Sequence, residues 1–124
     1  MRNNRGFTLI EVLAVIVIIA IIMAIVTPVA IGVINDSRHD AYNNQIRNIE
    51  YAARGYIAEH GTSIPELAAL NGTHTITLAT LITGGYIETP VKNPLTNTNF
   101  SELGTSVVVT KNSYGTYDYI VNVN

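Results

Sequence analysis

The sequence contains no cysteine. Disulfide bonds, thiolate zinc sites and cysteine nucleophiles are therefore excluded together. Any part of the chain that folds outside the cell must be held by packing alone, which is demanding for a small domain. The 124 residues leave room for one small globular domain and one additional element, and not for two ordinary domains.

Charged residues are few, and they form no basic cluster. Seven lysines and arginines stand against nine acidic residues, which gives a formal net charge of -2. Arg2 and Arg5 precede Gly6, so the chain beyond Gly6 has five basic and nine acidic residues, a balance of -4. This pattern lacks the electrostatic footprint of a DNA- or RNA-binding protein. Nucleic acid is therefore not an expected partner.

The sequence also lacks a recognisable catalytic constellation. His39, His60 and His74 are scattered, and no serine or carboxylate falls in a known nucleophile motif. A glycine-rich phosphate loop is absent as well. We therefore predict no enzymatic activity, no catalytic residues and no cofactor.

The apolar residues are concentrated in the first third of the chain. No residue from Val12 to Ile34 is charged, and Val12 to Val26 is an unbroken apolar run. As a helix, this stretch would extend about 34 Å, enough to cross a hydrocarbon core of about 30 Å. It is too long for the apolar region of a secretory signal peptide. The pattern predicts a transmembrane helix, and Arg2 and Arg5 place its N-terminus in the cytoplasm.

Glu11 is the exception to the apolar pattern, five residues after Gly6. A carboxylate well inside a bilayer costs about 2.5 to 3.5 kcal/mol, so Glu11 needs a partner or an interfacial position. One interpretation is that the side chain reaches cytoplasmic water. The other is that it pairs with a cation.

The segment Gly6-Phe7-Thr8-Leu9-Ile10-Glu11, followed by the apolar run, closely resembles the cleavage and methylation motif of prepilins, the precursors of type IV pilins and pseudopilins. The resemblance implies that a membrane aspartic peptidase cuts after Gly6 and also N-methylates Phe7. It further implies that Glu11 pairs with the N-terminal amine of a neighbouring subunit. Residues 1–6 would then be a leader that is removed, and Glu11 would set the register between subunits.

Pro28 also matches the family, whose N-terminal helix carries a proline at this distance from the cleavage site. A proline inside a helix removes one backbone hydrogen bond and clashes with the preceding turn. Gly32 adds flexibility one turn later, so Pro28 and Gly32 predict a kink or a local break. Many relatives carry a glycine where this chain has Ala20, and alanine should limit unwinding or shift it to residues 27–32.

Beyond Ile34, apolar residues recur at steps of four and three. This spacing predicts that the helix continues as an amphipathic helix until Gly61. The helix then covers about residues 7–60, with residues 7–34 as its transmembrane and assembly half. Residues 35–124 form a soluble head that includes the amphipathic half. The stripe expected to pack against the head is Tyr42, Ile46, Ile49, Ala53 and Tyr56.

The head is predicted to begin with two short helices. Ser63 is expected to cap the first, which has Pro65 and Glu66 in its first turn and ends near residues 71–72. The second covers about residues 78–83 and stops at Gly84. Residues 76–96 resemble the loop region of major pilins and pseudopilins, which implies a loop that docks between the long helix and the sheet.

The C-terminal part is predicted to form a small antiparallel sheet. Residues 106–110 and 116–123 are rich in valine, tyrosine and isoleucine, and the turn residues 112–115 between them indicate a hairpin. The face of the second strand that carries Tyr117, Tyr119, Val121 and Val123 should cover the long helix. An additional strand is expected near residues 100–103.

The resemblance also raises the question of calcium, because major pseudopilins of type II secretion systems bind this ion in C-terminal loops. Oxygen ligands here would be Glu88, Asn93, Glu102 and Asp118. Their spacing lacks the density of a calcium loop, so we predict no metal site. Two segments, residues 71–73 and 99–101, fit the N-glycosylation pattern, which is common by chance, and we assign them no role.

The predicted fold is therefore α+β and type IV pilin-like, with a long N-terminal helix packed against a small head. The resemblance implies a major pilin, which forms a helical homo-oligomeric filament with the help of a prepilin peptidase, an assembly platform and an ATPase. The subunit would start in the cytoplasmic membrane and finish on the cell surface. The alternatives are a pseudopilin of type II secretion or DNA uptake, and a membrane-anchored binding domain that never polymerises. The lack of cysteine fits a Gram-positive source or a pseudopilin.

Overall fold

The computed structural model describes residues 6–124, which form one long helix followed by short helices and strands. The chain divides into two compact units, one ending at Ser37 and the other comprising Arg38–Asn124. The elements are α1 (Leu9–His60), two 3-10 turns (Gly61–Ser63 and Pro65–Leu67), β1 (Thr73–Thr77), α2 (Leu78–Thr83), β2 (Lys92–Asn93), β3 (Thr98–Asn99), β4 (Ser106–Lys111) and β5 (Tyr117–Asn122). The predicted α+β fold, a long helix with an antiparallel sheet domain, is confirmed.

Helix α1 begins at Leu9 and ends at His60, close to the predicted bounds. Its helical assignment continues through Pro28 and Gly32. Pro28 has no N–H to donate, and just before it the Thr27 hydroxyl donates to the Met23 carbonyl oxygen at 2.6 Å. The secondary structure is thus continuous across this region, and the kink at Pro28 and Gly32 remains a prediction.

The apolar side chains of residues 6–37 are all exposed. Every residue from Gly6 to Ala41 is exposed in the isolated chain. Among residues 6–124, α1 is the helix that is long and apolar enough to cross a membrane, and none of that stretch is buried. Exposed apolar surface of this extent needs lipid or other protein to cover it. The exposure is consistent with a membrane-anchored precursor.

In the second unit, the amphipathic part of α1 supplies one wall of the core. Its buried residues are Ile49, Ala52, Ala53 and Ile57. Tyr42, Ile46 and Tyr56 of the predicted stripe are partly buried and pack against this core. The remaining core residues come from the other elements: Ile64, Leu67, Ile76, Leu78, Leu81, Val91, Phe100, Val107 and Val109.

The main sheet has three antiparallel strands in the order β1-β4-β5. Strand β4 is central, and its Val107 and Val109 are fully buried. On β5, alternate residues pack against the core, among them Tyr119 and Val121, whereas Ile120 on the other face is 60% exposed. The predicted hairpin is therefore correct, and so is the orientation of Tyr117, Tyr119 and Val121, whereas Val123 of the predicted face is exposed and follows the strand.

The third strand of the sheet is not the predicted one. It is β1, which pairs with β4 along its whole length, while residues 100–105 belong to no strand. Threonines that alternate with His74 and Ile76 suit a pleated, half-buried strand. Phe100 is instead a core residue, and its N–H donates to the Val91 carbonyl oxygen at 2.8 Å.

The helix predicted to start after Ser63 is also wrong. Two 3-10 turns replace it, and Ile64 between them is extended, with φ −93° and ψ 110°. A proline disfavours the α conformation in the residue before it, so Pro65 interrupts the helix at Ile64. Ile64 becomes the N-terminal residue of the second turn, and no side chain caps that turn.

The second predicted helix is confirmed as α2, Leu78–Thr83. Thr77 is its N-cap, and the Thr77 hydroxyl accepts a hydrogen bond from the Thr80 N–H at 3.3 Å. Gly84 follows the last helical residue, as the sequence predicted.

Thr105 offers a test of the packing in this core. Its side chain is fully buried, and its hydroxyl has no hydrogen-bond partner within residues 6–124. A buried hydroxyl without a partner costs about 1 to 3 kcal/mol. We expect Thr105→Val to raise the free energy of unfolding by about 1 kcal/mol, because valine has nearly the same shape. Chemical denaturation of the full chain in detergent micelles measures this.

Thr105→Ala is the matched control, since it removes the same hydroxyl and leaves a small cavity. It should be less stable than Thr105→Val. A valine variant less stable than the wild type would show that the hydroxyl is satisfied.

Candidate functional site

The residues predicted for processing and assembly lie together at the start of α1. Gly6, Phe7 and Thr8 are exposed and outside regular secondary structure. The Phe7 side chain is 89% exposed. The Gly6–Phe7 peptide bond therefore precedes the helix and lies in exposed, irregular chain, the kind of segment that proteases cut most readily. Arg2 and Arg5, predicted to orient the helix, lie outside the described residues.

Thr8 and Glu11 form a reciprocal cap at the start of α1. The Thr8 N–H donates to a Glu11 carboxylate oxygen at 3.0 Å, and the Glu11 N–H donates to the Thr8 hydroxyl at 3.3 Å. Such a capping box satisfies backbone donors that the first helical turn would otherwise leave unpaired. The negative charge also lies at the positive end of the helix dipole.

The capping role of Glu11 was not among the sequence predictions, although its signal is present. Thr-x-x-Glu in front of an apolar run is the sequence pattern of a capping box. Glu11 thus has a local structural function before any other subunit is present. Any assembly role has to be compatible with it.

Phe7 occupies the position before the cap. It borders a small groove together with Glu11, Val12, Val15 and Ile16. Phe7 and Val12 hold the two positions whose side chains form a hydrophobic staple at helix starts. The high exposure of Phe7 leaves most of its ring available to lipid or to another protein.

The arrangement leaves Glu11 able to accept a cation. A carboxylate offers about four acceptor positions, and the contact with Thr8 uses one of them. Cutting the Gly6–Phe7 bond would create an amine on Phe7, next to the Thr8 N–H that Glu11 already binds. The segment therefore brings together the two charges that an ion pair between subunits would need.

Pro28 and Gly32 lie apart from this cluster, because Pro28 is 17 positions after Glu11 in the helix, or about 26 Å along it. A Cβ added at Gly32 would have no heavy atom within 4 Å. These two residues can therefore influence the shape of α1 and not the chemistry at its start.

Comparison with protein families identifies the N-terminal segment. A family model described as the prokaryotic N-terminal methylation motif matches residues 1–27. The chain carries the methylation motif of prepilins. This motif marks type IV pilin-like and pseudopilin-like precursors, so the resemblance seen in the sequence is confirmed. The long helix and the antiparallel sheet of the chain match the type IV pilin-like fold. Neither curated proteins nor solved structures produced a match.

The acidic residues considered for a metal site in the second unit form no cluster of three. Within residues 6–124, no group of three or more histidine or acidic side chains could hold a metal ion. Asn93 and Asp118 instead take part in local contacts with Leu95 and Asn112. The calcium hypothesis gains no support from this geometry.

A further polar contact in the head joins Tyr86 to α1. Tyr86 follows α2 and Gly85, whose φ of 77° turns the chain in a way that favours glycine. The Tyr86 hydroxyl donates to the Glu59 carboxylate. Because 27 residues separate the two, no local sequence signal predicted the contact.

The contact makes the ionisation of Tyr86, and the stability it contributes, depend on pH in a characteristic way. The hydrogen bond to Glu59, with a smaller contribution from desolvation, raises the pKa of Tyr86 from 10.0 to about 12. Since the folded-state pKa lies above the unfolded one, the stabilisation is complete below about pH 10 and is lost as pH rises through about 12. We expect a late phenolate transition in ultraviolet absorbance that Tyr86→Phe removes.

Glu59→Gln tests the cause of that shift, because it keeps an acceptor and removes the charge. The late transition should move towards the ordinary tyrosine range. A transition that stays near pH 12 would show that desolvation, and not Glu59, raises the pKa of Tyr86.

Proposed function

We propose that the chain is the major subunit of a type IV pilus, made as a prepilin and cut after Gly6. The prepilin peptidase removes residues 1–6 and methylates the new N-terminal Phe7. The observation that supports this most directly is the exposed apolar half of α1, which begins within the methylation motif. The motif itself implies processing by a prepilin peptidase and assembly into a pilus.

The apolar half of α1 lies in two environments in turn, first the bilayer and then the filament. In the precursor, the bilayer covers the exposed residues and anchors the subunit in the cytoplasmic membrane. In the filament, the helices of neighbouring subunits cover the same residues. Removal of Arg2 and Arg5 with the leader frees the N-terminus from the charges that hold it in the cytoplasm. One cut therefore allows the subunit to leave the membrane.

Glu11 links processing to assembly. In the precursor, the Thr8 N–H donates to one oxygen of the carboxylate and leaves its other acceptor positions free. After cleavage, the methylated amine of a neighbouring Phe7 supplies a cation at the same depth. Pairing neutralises two charges that would each be costly in an apolar surrounding. A subunit in the correct register makes this pair, and a shifted one leaves both charges unpaired.

The remaining machinery follows from this assignment. An assembly platform and a cytoplasmic ATPase extract subunits from the cytoplasmic membrane, and the finished filament lies on the cell surface. The second unit, with its own core, then faces the outside of the filament. The kink at Pro28 and Gly32 adjusts how α1 packs between neighbours.

A pseudopilin of type II secretion or DNA uptake is the second candidate, because the methylation motif marks both kinds of precursor. Electron microscopy of sheared cells separates the two. Long surface filaments that contain this chain support the pilus. Their absence, combined with loss of secretion or DNA uptake in a deletion strain, supports the pseudopilus.

Intact-mass measurement on the protein from its native cell tests processing itself. The expected result is a mature chain that begins at Phe7 and carries one additional methyl group. An uncut chain would contradict both filament hypotheses. It would favour a membrane-anchored domain that does not polymerise.

A further inference from the structure

A groove on the second unit is lined mainly by aromatic rings and hydroxyl groups. It has a volume of about 570 Å³, within the roughly 300 to 1,000 Å³ typical of small-molecule sites. The lining residues are Tyr56, His60, Ala79, Thr80, Thr83, Gly84 and Tyr86. No lysine or arginine is among them, and Ala79 contributes the one aliphatic side chain without a polar group. This composition suits neither an anion nor a lipid chain.

The aromatic rings of the groove are held in fixed orientations. Tyr56 and His60 stack with centroids 4.6 Å apart, and Tyr86 stands nearly perpendicular to Tyr56 at 5.6 Å. The hydrogen bond to Glu59 fixes the Tyr86 ring, and His60 Nδ1 lies 3.2 Å from the Tyr56 carbonyl oxygen. A lining that is already ordered loses little conformational entropy when a ligand binds.

The polar groups around the rings retain unused hydrogen-bonding capacity. The Thr83 hydroxyl donates to the Ala79 carbonyl oxygen at 2.8 Å, which leaves its lone pairs free. Thr80 shares one hydrogen bond with Thr77 at 2.9 Å. The Tyr86 hydroxyl, which donates to Glu59, keeps its own lone pairs as acceptors. The groove is thus surrounded by groups that accept hydrogen bonds from hydroxyls.

We propose that this groove binds a neutral saccharide. The C–H faces of a sugar ring carry slight positive charge and pack on the electron-rich faces of aromatic rings. Its hydroxyls donate to the free acceptors of Thr80 and Thr83. The absence of lysine and arginine makes the site selective against anionic sugars. The proposal does not depend on filament assembly.

The test uses the full chain in micelles of dodecylphosphocholine, a detergent without a sugar headgroup. Cellotriose and triacetylchitotriose are the probes, titrated to about 10 mM so that millimolar binding would saturate. Nuclear magnetic resonance should show saturable shifts of the Gly84 and Gly85 amide signals with at least one probe. Micelles without protein provide the blank.

Three variants locate the binding. Tyr86→Ala should weaken it about tenfold, the upper range for one aromatic contact. Thr83→Val keeps the branched shape and should weaken it about threefold, as the loss of one hydrogen bond predicts. Tyr114→Ala is the matched control, because Tyr114 is an exposed aromatic residue outside the groove and its loss should change nothing.

Several outcomes would overturn the proposal. One is the absence of saturable shifts with both trisaccharides. Another is equal affinity in the wild type and in the folded Thr83→Val and Tyr86→Ala variants, which would place the binding elsewhere. A third is groove shifts that follow protein concentration without sugar, which would assign the groove to a second copy of the chain. Thr83→Val keeps the test valid should Tyr86→Ala fail to fold.

Discussion

Replacing Glu11 with glutamine or leucine should abolish filaments while the subunit still enters the membrane. Removing one member of a buried ion pair costs about 3 to 5 kcal/mol, because the remaining charge has no partner. A loss of this size reduces subunit association by at least about 100-fold. Insertion should be unchanged or improved, since leucine is favourable in a bilayer and a carboxylate is not. Immunoblots of sheared filaments and of alkali-extracted membranes measure the two quantities.

The two substitutions separate pairing from capping. Glutamine can replace glutamate in a capping box, so Glu11→Gln keeps the contact with Thr8 and removes only the charge. Glu11→Leu removes both. Glu102→Gln, at an exposed glutamate of the head, is the matched control and should form filaments normally. If Glu11→Gln formed wild-type filaments and Glu11→Leu did not, Glu11 would act as a helix cap and not as an ion-pair partner.

The elements that local sequence controls were predictable. The apolar run and the later steps of three and four residues defined α1. Thr77 and Gly84 bracket α2, and the turn at residues 112–115 joins β4 to β5. Each of these signals lies within a few residues of the structure it specifies. The observed bounds therefore fall within about two residues of the predicted ones.

Strand β1 was not predictable in the same way. Ile76 is its one fully buried residue, so the strand lacks the apolar alternation that identifies a half-buried strand. The position of β1 is determined by its pairing with β4, which lies about 30 residues later in the chain. Ile76, for example, pairs with Val107. The error at Ser63 was different, because the effect of Pro65 on Ile64 is local and was available in the sequence.

The N-terminal motif was recognisable from the sequence because it occupies a short stretch of chain. A motif of this length needs no fold to be recognised, whereas the roles of Gly6, Phe7 and Glu11 in processing and assembly remain predictions. The structure adds the capping box. The sequence interpretation considered only the free energy of placing Glu11 in the membrane and did not predict this cap. The contact between Tyr86 and Glu59 and the groove beside it depend on tertiary packing, so the sequence held no sign of them.

Substituting Gly6 with leucine should leave the chain uncut. Gly6 is exposed, and a Cβ added there would have no heavy atom within 4 Å, so this chain tolerates a side chain. Any effect must then arise in the peptidase. One additional methylene in an enzyme pocket lowers kcat/KM roughly 10- to 200-fold. Leucine adds several carbon atoms, so it should slow cleavage by at least about 100-fold. Intact-mass analysis should find residues 1–6 retained, Phe7 without a methyl group, and no filaments.

Gly6→Ala and Gly32→Ala complete this experiment. Alanine is smaller than leucine, so the Gly6→Ala chain should be cut at a rate between those of the wild type and Gly6→Leu. Gly32 also has open space around its Cα, so Gly32→Ala is the matched control and should be cut and methylated normally. Normal cleavage of Gly6→Leu, or a mature chain that begins at a residue other than Phe7, would contradict the assigned site. Because the leader holds Arg2 and Arg5, an uncut chain should stay in the membrane even with Glu11 intact, which makes cleavage the first requirement for assembly.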